Sequence, residues 1–348
     1  MSDIEIEIIN TTVFITLKRE KVLNALNLNM VREIYKYIDD WNTNDKICGV
    51  ILRGSGDRAF CAGGDIVAVY HAREDQNNSL SYDFFREEYL LNLAIKNFTK
   101  PWISILNGIA MGGGLGLSVH GSHRIITEKT ITAMPETAIG LFPDVGGSYF
   151  LSRMQGCLGQ YLAITGNTMN SKDTLFSGIG TNFLESNFLD IFISTINKLD
   201  KYDINTINRI LSELTTKDEN KNFLNSQIEK INKHFLYGSL DDIIQSLGNT
   251  DEKWENEILT TLNKKSPTSM AVTLRLLLNA REMSFEECLK MEFRVCQAMM
   301  KKQDFYEGVR ANLVEKDRKP KWYPKDIKMV TEEIINSHFI NLQDKELF

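Results

Sequence analysis

Two stretches of the sequence repeat one pattern, in which an apolar strand leads into a run of glycines. The first is ILRGSGDRAFCAGGD, beginning at Ile51, and the second is WISILNGIAMGGG, beginning at Trp102. The run Trp102–Leu106 is apolar and rich in β-branched residues, which predicts a buried strand. Because helical patterns follow both stretches, the repeat favours a layered α/β core over an all-α or all-β fold.

The second glycine run, Gly112–Gly116, indicates a site for an anion or an oxyanion. Glycine has no Cβ, so its backbone can approach a ligand closely. Three consecutive glycines after a strand and before an apolar run suggest N–H groups presented at the start of a helix. Two alternatives stay open. A dinucleotide loop is less favoured because GGGLG lacks the GxGxxG spacing, and the glycines could also serve tight packing alone.

Two carboxylates follow this glycine run, each directly after a proline. Glu136 follows Pro135, and Asp144 follows Pro143. Proline fixes φ and stiffens such turns. Taken alone, each carboxylate is typical of a solvated surface or a turn, but their place between apolar segments predicts partial burial. Burial raises the pKa of a carboxyl group and suits it to proton transfer near neutral pH.

His120 and His123 have the spacing of two metal ligands on a helix. No carboxylate or cysteine stands near them as a convincing third ligand, so the sequence favours packing or capping roles and predicts no metal site. Cys61 lies among glycines without an obvious paired histidine, and no GxSxG motif is present.

The overall composition excludes several classes of partner. The chain has 348 residues and a net charge of -6, so it lacks the basic footprint expected for nucleic acid or an anionic membrane. No apolar run reaches the roughly 18–20 residues that span a bilayer. The 5 cysteines include no CxxC pair, which favours a reducing compartment. The N-terminal MSDIEIEIIN resembles neither a secretory signal nor a transit sequence.

Local patterns place further elements along the chain. They predict a hairpin over 4–17 and helices at 30–41, 81–98, 151–164 and 284–302. Ser266-Pro267 is a typical helix start, and Asp65 is a candidate cap for the helix after the first glycine run. Beyond about residue 183 glycines become rare and helical periods dominate. We therefore expect two domains, a core with the active site over 1–200 and a helical region over 201–348.

Several of these motifs together resemble the crotonase (enoyl-CoA hydratase/isomerase) superfamily. They are AFCAGGD from Ala59, GIAMGGG from Gly108, and MPE from Met134 with GLFPDVGG from Gly140. FFREEY from Phe84 and DFYEGVRA from Asp304 are similar to a hydrolase branch of that superfamily. The resemblance covers about residues 4–324 and is weakest over 185–255.

The resemblance implies a spiral core of ββα turns with a helical C-terminal region, and an acyl-CoA ligand. The amides of Gly64 and Gly113 would bind the thioester oxygen as catalytic groups, with Glu136 and Asp144 as the catalytic carboxylates. Gly116 stands where hydratases carry a glutamate, so alkene hydration becomes doubtful. By the same resemblance, the residues lining the substrate site are Glu88, Gly113, Glu136 and Asp144.

The implied activity is hydrolysis of 3-hydroxyisobutyryl-CoA, or of a similar short 3-hydroxyacyl-CoA, in valine catabolism. A hydratase or isomerase reaction and non-catalytic acyl-CoA binding are the alternatives. No cofactor is expected, because CoA is part of the substrate. The resemblance further implies a mitochondrial location, with the cytoplasm as the alternative, and it leaves a homo-oligomer open.

Overall fold

The computed structural model describes residues 2–74, 78–215 and 222–348. Its strands are β1 Ile4–Ile9, β2 Thr12–Leu17, β3 Gly49–Gly54, β4 Ala59–Cys61, β5 Trp102–Leu106, β6 Ile109–Met111, β7 His123–Ile126, β8 Ile131–Ala133, β9 Met169–Asn170 and β10 Asn182–Phe183. The predicted hairpin over 4–17 is confirmed as β1 and β2, which pair antiparallel with Ile4 opposite Leu17.

Helices account for most of the remaining described chain. In the first part they are α1 Leu28–Thr43, α2 Ile66–Glu74, α3 Asn78–Lys96, α4 Gly113–Gly116, α5 Gly147–Leu151, α6 Leu158–Thr165, α7 Ser171–Phe176 and α8 Leu189–Asn197. They continue as α9 Ile204–Leu214, α10 Phe223–Phe235, α11 Leu240–Gly248, α12 Lys253–Leu262, α13 Pro267–Ala280, α14 Phe285–Met299, α15 Gln303–Val309 and α16 Glu332–Asn336. Among the described residues after 201, every regular element is helical.

Two sheets explain the repeated sequence pattern. The larger has the order β1-β2-β3-β5-β7-β10 and the smaller β4-β6-β8-β9. The chain thus places one strand in the larger sheet and the next in the smaller, as β3 then β4, β5 then β6, and β7 then β8. Strands β3, β5 and β7 are parallel neighbours, so the chain must cross over between each of these strands and the next. This repetition confirms the expected ββα core.

By its contacts the chain divides into two compact units. The first comprises Met1–Gly64, Leu90–Thr132 and Thr168–Ser226, and the second comprises Asp65–Tyr89, Ala133–Asn167 and Gln227–Phe348. In the first unit, one face of the larger sheet packs on α8 and α9 through a buried cluster that includes Phe14, Ile51, Ile103, Phe192 and Ile207. The expected division into a core and a C-terminal region after residue 200 stays a prediction.

The second unit is organised around α13, which is buried on nearly every side. Its inward residues include Met270, Val272, Leu274 and Leu277, and it packs against α5, α6 and α14. Ser266 accepts a hydrogen bond from the amide of Ser269 and confirms the predicted helix start. Eleven of its 14 residues are buried, so α13 forms part of the core of this unit.

One predicted helix is wrong. Within 151–164, Leu151 ends α5, residues 152–157 are not helical, and α6 begins only at Leu158. Gly156 lies in this break with φ +56°, a left-handed conformation that interrupts a helix. The predicted helices at 30–41, 81–98 and 284–302 are confirmed as α1, α3 and α14, and Ser284 caps α14 through a reciprocal capping box with Glu287.

Candidate active site

The two glycine segments follow neighbouring parallel strands of the smaller sheet. Strands β4 and β6 pair in parallel, with Cys61 opposite Ala110, so both chains leave the sheet at the same edge. Gly63 has φ +116°, and a Cβ at this position would lie 3.8 Å from the amide nitrogen of Gly113. The segments that carry Gly64 and Gly113 therefore adjoin each other within the first unit.

This close approach depends on glycine at two positions. A Cβ on Gly114 would lie 2.2 Å from the carbonyl oxygen of Cys61, which no larger residue can accommodate without a backbone shift. Gly112 has φ 48° and directly precedes α4. The predicted helix start at the glycines is confirmed, although α4 is a single turn that ends at Gly116. Cys61 therefore packs against the second glycine segment.

The three candidate carboxyl groups lie buried in the second unit. Glu88 is on α3 and is 2% exposed, while Glu136 and Asp144 are each 5% exposed. Glu136 opens a short 3-10 turn, Glu136–Ile139, directly after Pro135. Asp144 lies between Pro143 and α5, where its carbonyl accepts a hydrogen bond from the amide of Gly147. The predicted burial of both proline-flanked carboxylates is confirmed.

The three groups influence one another electrostatically. Burial, then the nearby Asp144, raise the pKa of both Glu88 and Glu136 well above the ordinary value. Burial raises the pKa of Asp144 to about 7, although a hydrogen bond from Tyr89 opposes the rise. The cluster also has a cation beside it, since Lys265 lies close enough to Glu136 to lower its pKa. Burial in turn lowers the pKa of Lys265 to about 8.

Two oxygens of this cluster have no hydrogen-bond partner among the described residues. They are Oε1 of Glu88 and Oε2 of Glu136, both buried. Buried polar atoms are almost always paired, and an unpaired one is expensive. Such atoms are typical of a site whose partner is a ligand or a bound water.

Tyr89 holds Asp144 in place. Its hydroxyl donates a hydrogen bond of 2.9 Å to Oδ2 of Asp144, and the ring is fully buried beside Phe85 and Phe293. Burial, followed by the charge of Asp144, raises the pKa of Tyr89 well above its ordinary value, so the phenol stays protonated. The bond favours the ionised form of Asp144.

Glu292 on α14 fixes the turn that follows Asp144. Its carboxylate accepts hydrogen bonds from the amides of Gly146 and Ser148, each at 2.8 Å, and from the Ser148 hydroxyl at 2.5 Å. Burial raises the pKa of Glu292 to about 8, against three donors that favour ionisation. Glu292 thereby ties the backbone beside Asp144 to the longest helix packed on α13.

Sequence reasoning named these carboxyl groups as candidates but did not identify the residues that hold them. Tyr89 closes the FFREEY motif that carries Glu88, so its position offered a signal. Glu292 had none, because a glutamate in a charged helical stretch predicts a solvated face. Here it is fully buried.

The two histidines do not share a helix, because His120 lies in a turn and His123 in a strand. His123 begins β7 rather than lying on a helix, and its ring contacts Ser122 Oγ at 2.8 Å and Asn208 Oδ1 at 3.1 Å. Within residues 2–74, 78–215 and 222–348, no group of three or more histidine, cysteine, aspartate or glutamate side chains is placed to hold a metal ion. In the same ranges, no helix has the length and apolarity needed to cross a membrane. Asp65 accepts a hydrogen bond from the amide of Ala68, as predicted for a helix cap.

Comparisons with known proteins agree with this architecture. A 3-hydroxyisobutyryl-CoA hydrolase, mitochondrial, from Homo sapiens is 44% identical over 337 residues, covering 96% of this chain and 87% of the relative. The protein of the same name from Danio rerio is 43% identical over 350 residues, covering 99% and 91%. Two solved structures are also similar over the whole chain. A carnitinyl-CoA dehydratase from Mycobacterium thermoresistibile is 33% identical with a TM-score of 0.93, covering 100% of this chain and 99% of that one. An enoyl-CoA hydratase from Rhodobacter sphaeroides 2.4.1 is 33% identical with a TM-score of 0.92, covering 100% of both.

The match to a family model is equally extensive. The model described as enoyl-CoA hydratase/isomerase matches residues 12–339. The match agrees with two features of the structure, the ββα repeat and the paired glycine segments, which the sequence motifs predicted. The chain belongs to the enoyl-CoA hydratase/isomerase (crotonase) family.

Proposed function

We propose that this protein hydrolyses the thioester of 3-hydroxyisobutyryl-CoA, or of a similar short 3-hydroxyacyl-CoA, to the free acid and CoA. The observation that carries the proposal is the buried cluster of Glu88, Glu136 and Asp144, in which two carboxyl oxygens find no hydrogen-bond partner among the described residues. Relatives that are 43–44% identical over 96–99% of this chain bear the name of this hydrolase. A resident cofactor or metal is not required by the chemistry proposed here.

In this mechanism the amides of Gly64 and Gly113 bind the thioester carbonyl oxygen. Attack on the carbon moves negative charge onto that oxygen, and two fixed N–H donors stabilise it. Removing one such donor typically raises the barrier by about 3–4 kcal/mol. That these amides and the carboxyl cluster act on one thioester is part of the proposal.

Glu136 takes part in the attack by one of two routes. As general base it removes a proton from water while the water oxygen bonds to the thioester carbon and the C–S bond breaks. As nucleophile its carboxylate displaces the CoA thiolate and forms an anhydride, which water then cleaves. A raised pKa makes Glu136 a stronger base near neutral pH than an ordinary carboxylate. Asp144 binds the substrate 3-hydroxyl or passes a proton to the leaving thiolate, and Glu88 orients the acyl group.

A hydratase or isomerase reaction is the second candidate. The two solved structures that are 33% identical carry the names of a dehydratase and a hydratase. Against it stands Gly116, which is buried in α4 and supplies no carboxylate at the position where hydratases have a glutamate. Non-catalytic binding of acyl-CoA is a third candidate.

The test is a panel of short acyl-CoA esters, with free thiol and enoyl absorbance followed together. Thiol release from 3-hydroxyisobutyryl-CoA supports the proposal, whereas loss of enoyl absorbance without thiol release identifies the second candidate. Thermal stabilisation by the esters without turnover identifies the third.

Site variants assign the role of Glu136. Glu136→Gln is expected to lower turnover by about 10²–10⁴-fold, while acyl-CoA still raises the melting temperature. The matched control is Glu333→Gln, because Glu333 is exposed on α16, and it should leave turnover unchanged. A single turnover in oxygen-18 water separates the two routes, since label in Glu136 requires the anhydride.

Location and assembly are part of the same proposal. The relatives are named mitochondrial, and we extend that location, with a role in valine catabolism, to this protein. Cell fractionation followed by detection of the native protein tests the location, and a cytosolic signal would contradict a mitochondrial one. A homo-oligomer would appear as a multiple of the 39.8 kDa chain mass in light scattering.

A further inference from the structure

Two helices hold the segment that carries Asp144, through residues of the second unit. From α3, the Tyr89 hydroxyl donates a hydrogen bond of 2.9 Å to Oδ2 of Asp144. From α14, the Glu292 carboxylate accepts one from the amide of Gly146 at 2.8 Å. A relative shift of the helices by about 0.6 Å would stretch the first bond to the limit at which a hydrogen bond is lost. The placement of Asp144 therefore depends on the separation of α3 and α14.

Aromatic rings form a direct contact between these two helices. The ring of Phe293 on α14 lies with its centroid 5.6 Å from that of Tyr82 and 6.2 Å from that of Tyr89, both on α3. Phe293 is fully buried. Apolar contact is largely non-directional, so these rings bring the helices together without fixing their separation to a fraction of an ångström.

The last residues of the described chain join the same two helices. They are residues 342–348, which we call the strap. Nη2 of Arg86 on α3 donates a hydrogen bond of 3.0 Å to the carbonyl oxygen of Leu347. Nε of Arg294 on α14 donates to both carboxylate oxygens of Glu346, at 2.8 and 3.0 Å. Consecutive residues of the strap are thus bonded to α3 and to α14.

The strap is itself well anchored. Leu347 is fully buried, and the amide of Leu342 donates a hydrogen bond of 2.8 Å to Oε1 of Glu346. Burial by itself would raise the pKa of Glu346, but the hydrogen bonds from Arg294 and Leu342 hold it below its ordinary value. Glu346 is therefore ionised at neutral pH, and its bond to Arg294 is of the strong, charge-assisted kind.

The helix positions bonded to the strap lie opposite those that serve the site. Arg86 precedes Glu88 by two residues, and Arg294 follows Glu292 by two. An α-helix has about 3.6 residues per turn, so positions two apart point in nearly opposite directions. An influence of the strap on the reaction therefore passes through the helices, as expected of positioning residues.

We propose that Glu346 and Leu347 are positioning residues, which fix α3 and α14 at the separation that lets Tyr89 and Glu292 hold Asp144 together. The inference rests on the proposed thioester hydrolysis, where Asp144 is given its role. A misplacement of about 1 Å can lower a rate about 10²-fold even when the altered residue is far from the chemistry. A loosened strap should also weaken the bond from Tyr89, and the pKa of Asp144 should then rise.

The test is the pH–rate profile of thioester hydrolysis for Leu347→Ala and Glu346→Ala. Each variant is expected to lower kcat about 10–100-fold and to move the limb that reports Asp144 to higher pH. In the Tyr89→Phe background neither should move that limb further, because the bond through which they act is already absent. Leu347→Met, which refills the buried position, should restore kcat and the limb. A merely structural loss would lower turnover without this dependence on Tyr89.

The matched control is Glu332→Ala, which removes another arginine–glutamate pair of the second unit. Glu332 on α16 accepts from Arg275 on α13 with both oxygens, at 3.0 and 2.7 Å, and neither helix carries a residue of the carboxyl cluster. The control should leave kcat and the limb unchanged. The strap variants also leave in place the titratable groups that interact with Asp144, which include Glu88, Tyr89, Glu136, Glu292 and Cys296.

Unchanged kcat in both strap variants would overturn the proposal, and so would a shift of the limb that is equally large with and without Tyr89. Hydrogen exchange of the unaltered protein guards against variants that fail to fold. The amide of Leu342 should exchange at least about 10²-fold more slowly than in an unfolded peptide. Exchange as fast as in the peptide, in protein that turns over, would also overturn the proposal. If the unaltered protein releases no thiol from any short acyl-CoA ester, the proposed function is wrong, and this inference with it.

Discussion

Replacing Asp144 by asparagine should stabilise the protein while it removes activity. The reason is the buried position of this carboxyl group, whose pKa rises from 3.8 to about 7 on folding. Between these two values the unfolded chain has already lost the proton that the folded protein still holds. Stability therefore falls as the pH rises through this window, and the loss is complete above about pH 7.

The size of the effect follows from the same two pKa values. A rise of about three units at 1.36 kcal/mol each gives about 4 kcal/mol at full ionisation. At pH 5 roughly 2 kcal/mol of this is already present, so the gain from Asp144→Asn should grow by about 2–3 kcal/mol between pH 5 and pH 8. Asparagine keeps an oxygen for the Tyr89 hydroxyl, so the variant alters charge more than packing.

Urea unfolding of both proteins at pH 5, 6, 7 and 8 measures this difference directly. The matched control is Asp344→Asn, since Asp344 is exposed, and its effect should be small and flat with pH. A difference for Asp144→Asn that stays constant from pH 5 to pH 8, or that shrinks, would refute the reasoning. A gain in stability together with lost turnover is the pattern expected of a group kept for function.

Three further predictions concern the supports of the site. Glu292→Ala should lower the free energy of unfolding by about 3 kcal/mol, because it leaves buried amide donors without an acceptor. Denaturant titration measures this loss, and a loss below about 1 kcal/mol would contradict the role of Glu292 in holding the turn after Asp144. Gly114→Ala should lower the melting temperature strongly because its Cβ would meet a backbone oxygen at 2.2 Å, whereas Gly248→Ala, with nothing within 4 Å, should be neutral or slightly stabilising in the same melting assay. Tyr89→Phe removes a hydrogen bond that favours the ionised form of Asp144, so the pKa of Asp144 should rise. The limb of the pH–rate profile that reports Asp144 should therefore move to higher pH by about one unit, and an unshifted profile would count against that bond.

Local sequence patterns were sufficient to predict most of the strands and helices and the repeating α/β core. Alternating and helical periods depend on neighbours a few residues apart, and the strand–glycine repeat directly reflects the passage from one sheet to the next. The predicted helix at 151–164 was wrong because the apolar pattern continues through Gly156. The left-handed backbone conformation of Gly156 cannot be seen from the spacing of apolar residues.

The candidate site residues could be predicted from the sequence only where they belong to local motifs. Glycine and proline marked the segments of Gly64, Gly113, Glu136 and Asp144. The supporting contacts join residues far apart in sequence: Tyr89 meets a partner 55 residues away, and Glu292 meets one 146 residues away. No local pattern encodes such a pairing, so these side chains became visible only in three dimensions.

The interleaved make-up of the second unit has a consequence for biosynthesis. Its first stretch ends at Tyr89, but its last begins only at Gln227. At about 5–20 residues per second, a ribosome needs roughly 7–30 seconds to make the intervening chain. Throughout that interval Phe84 and Phe85, which are buried in the finished protein, have no complete unit to enter, so the nascent chain should be a client for chaperones that hold exposed aromatic segments.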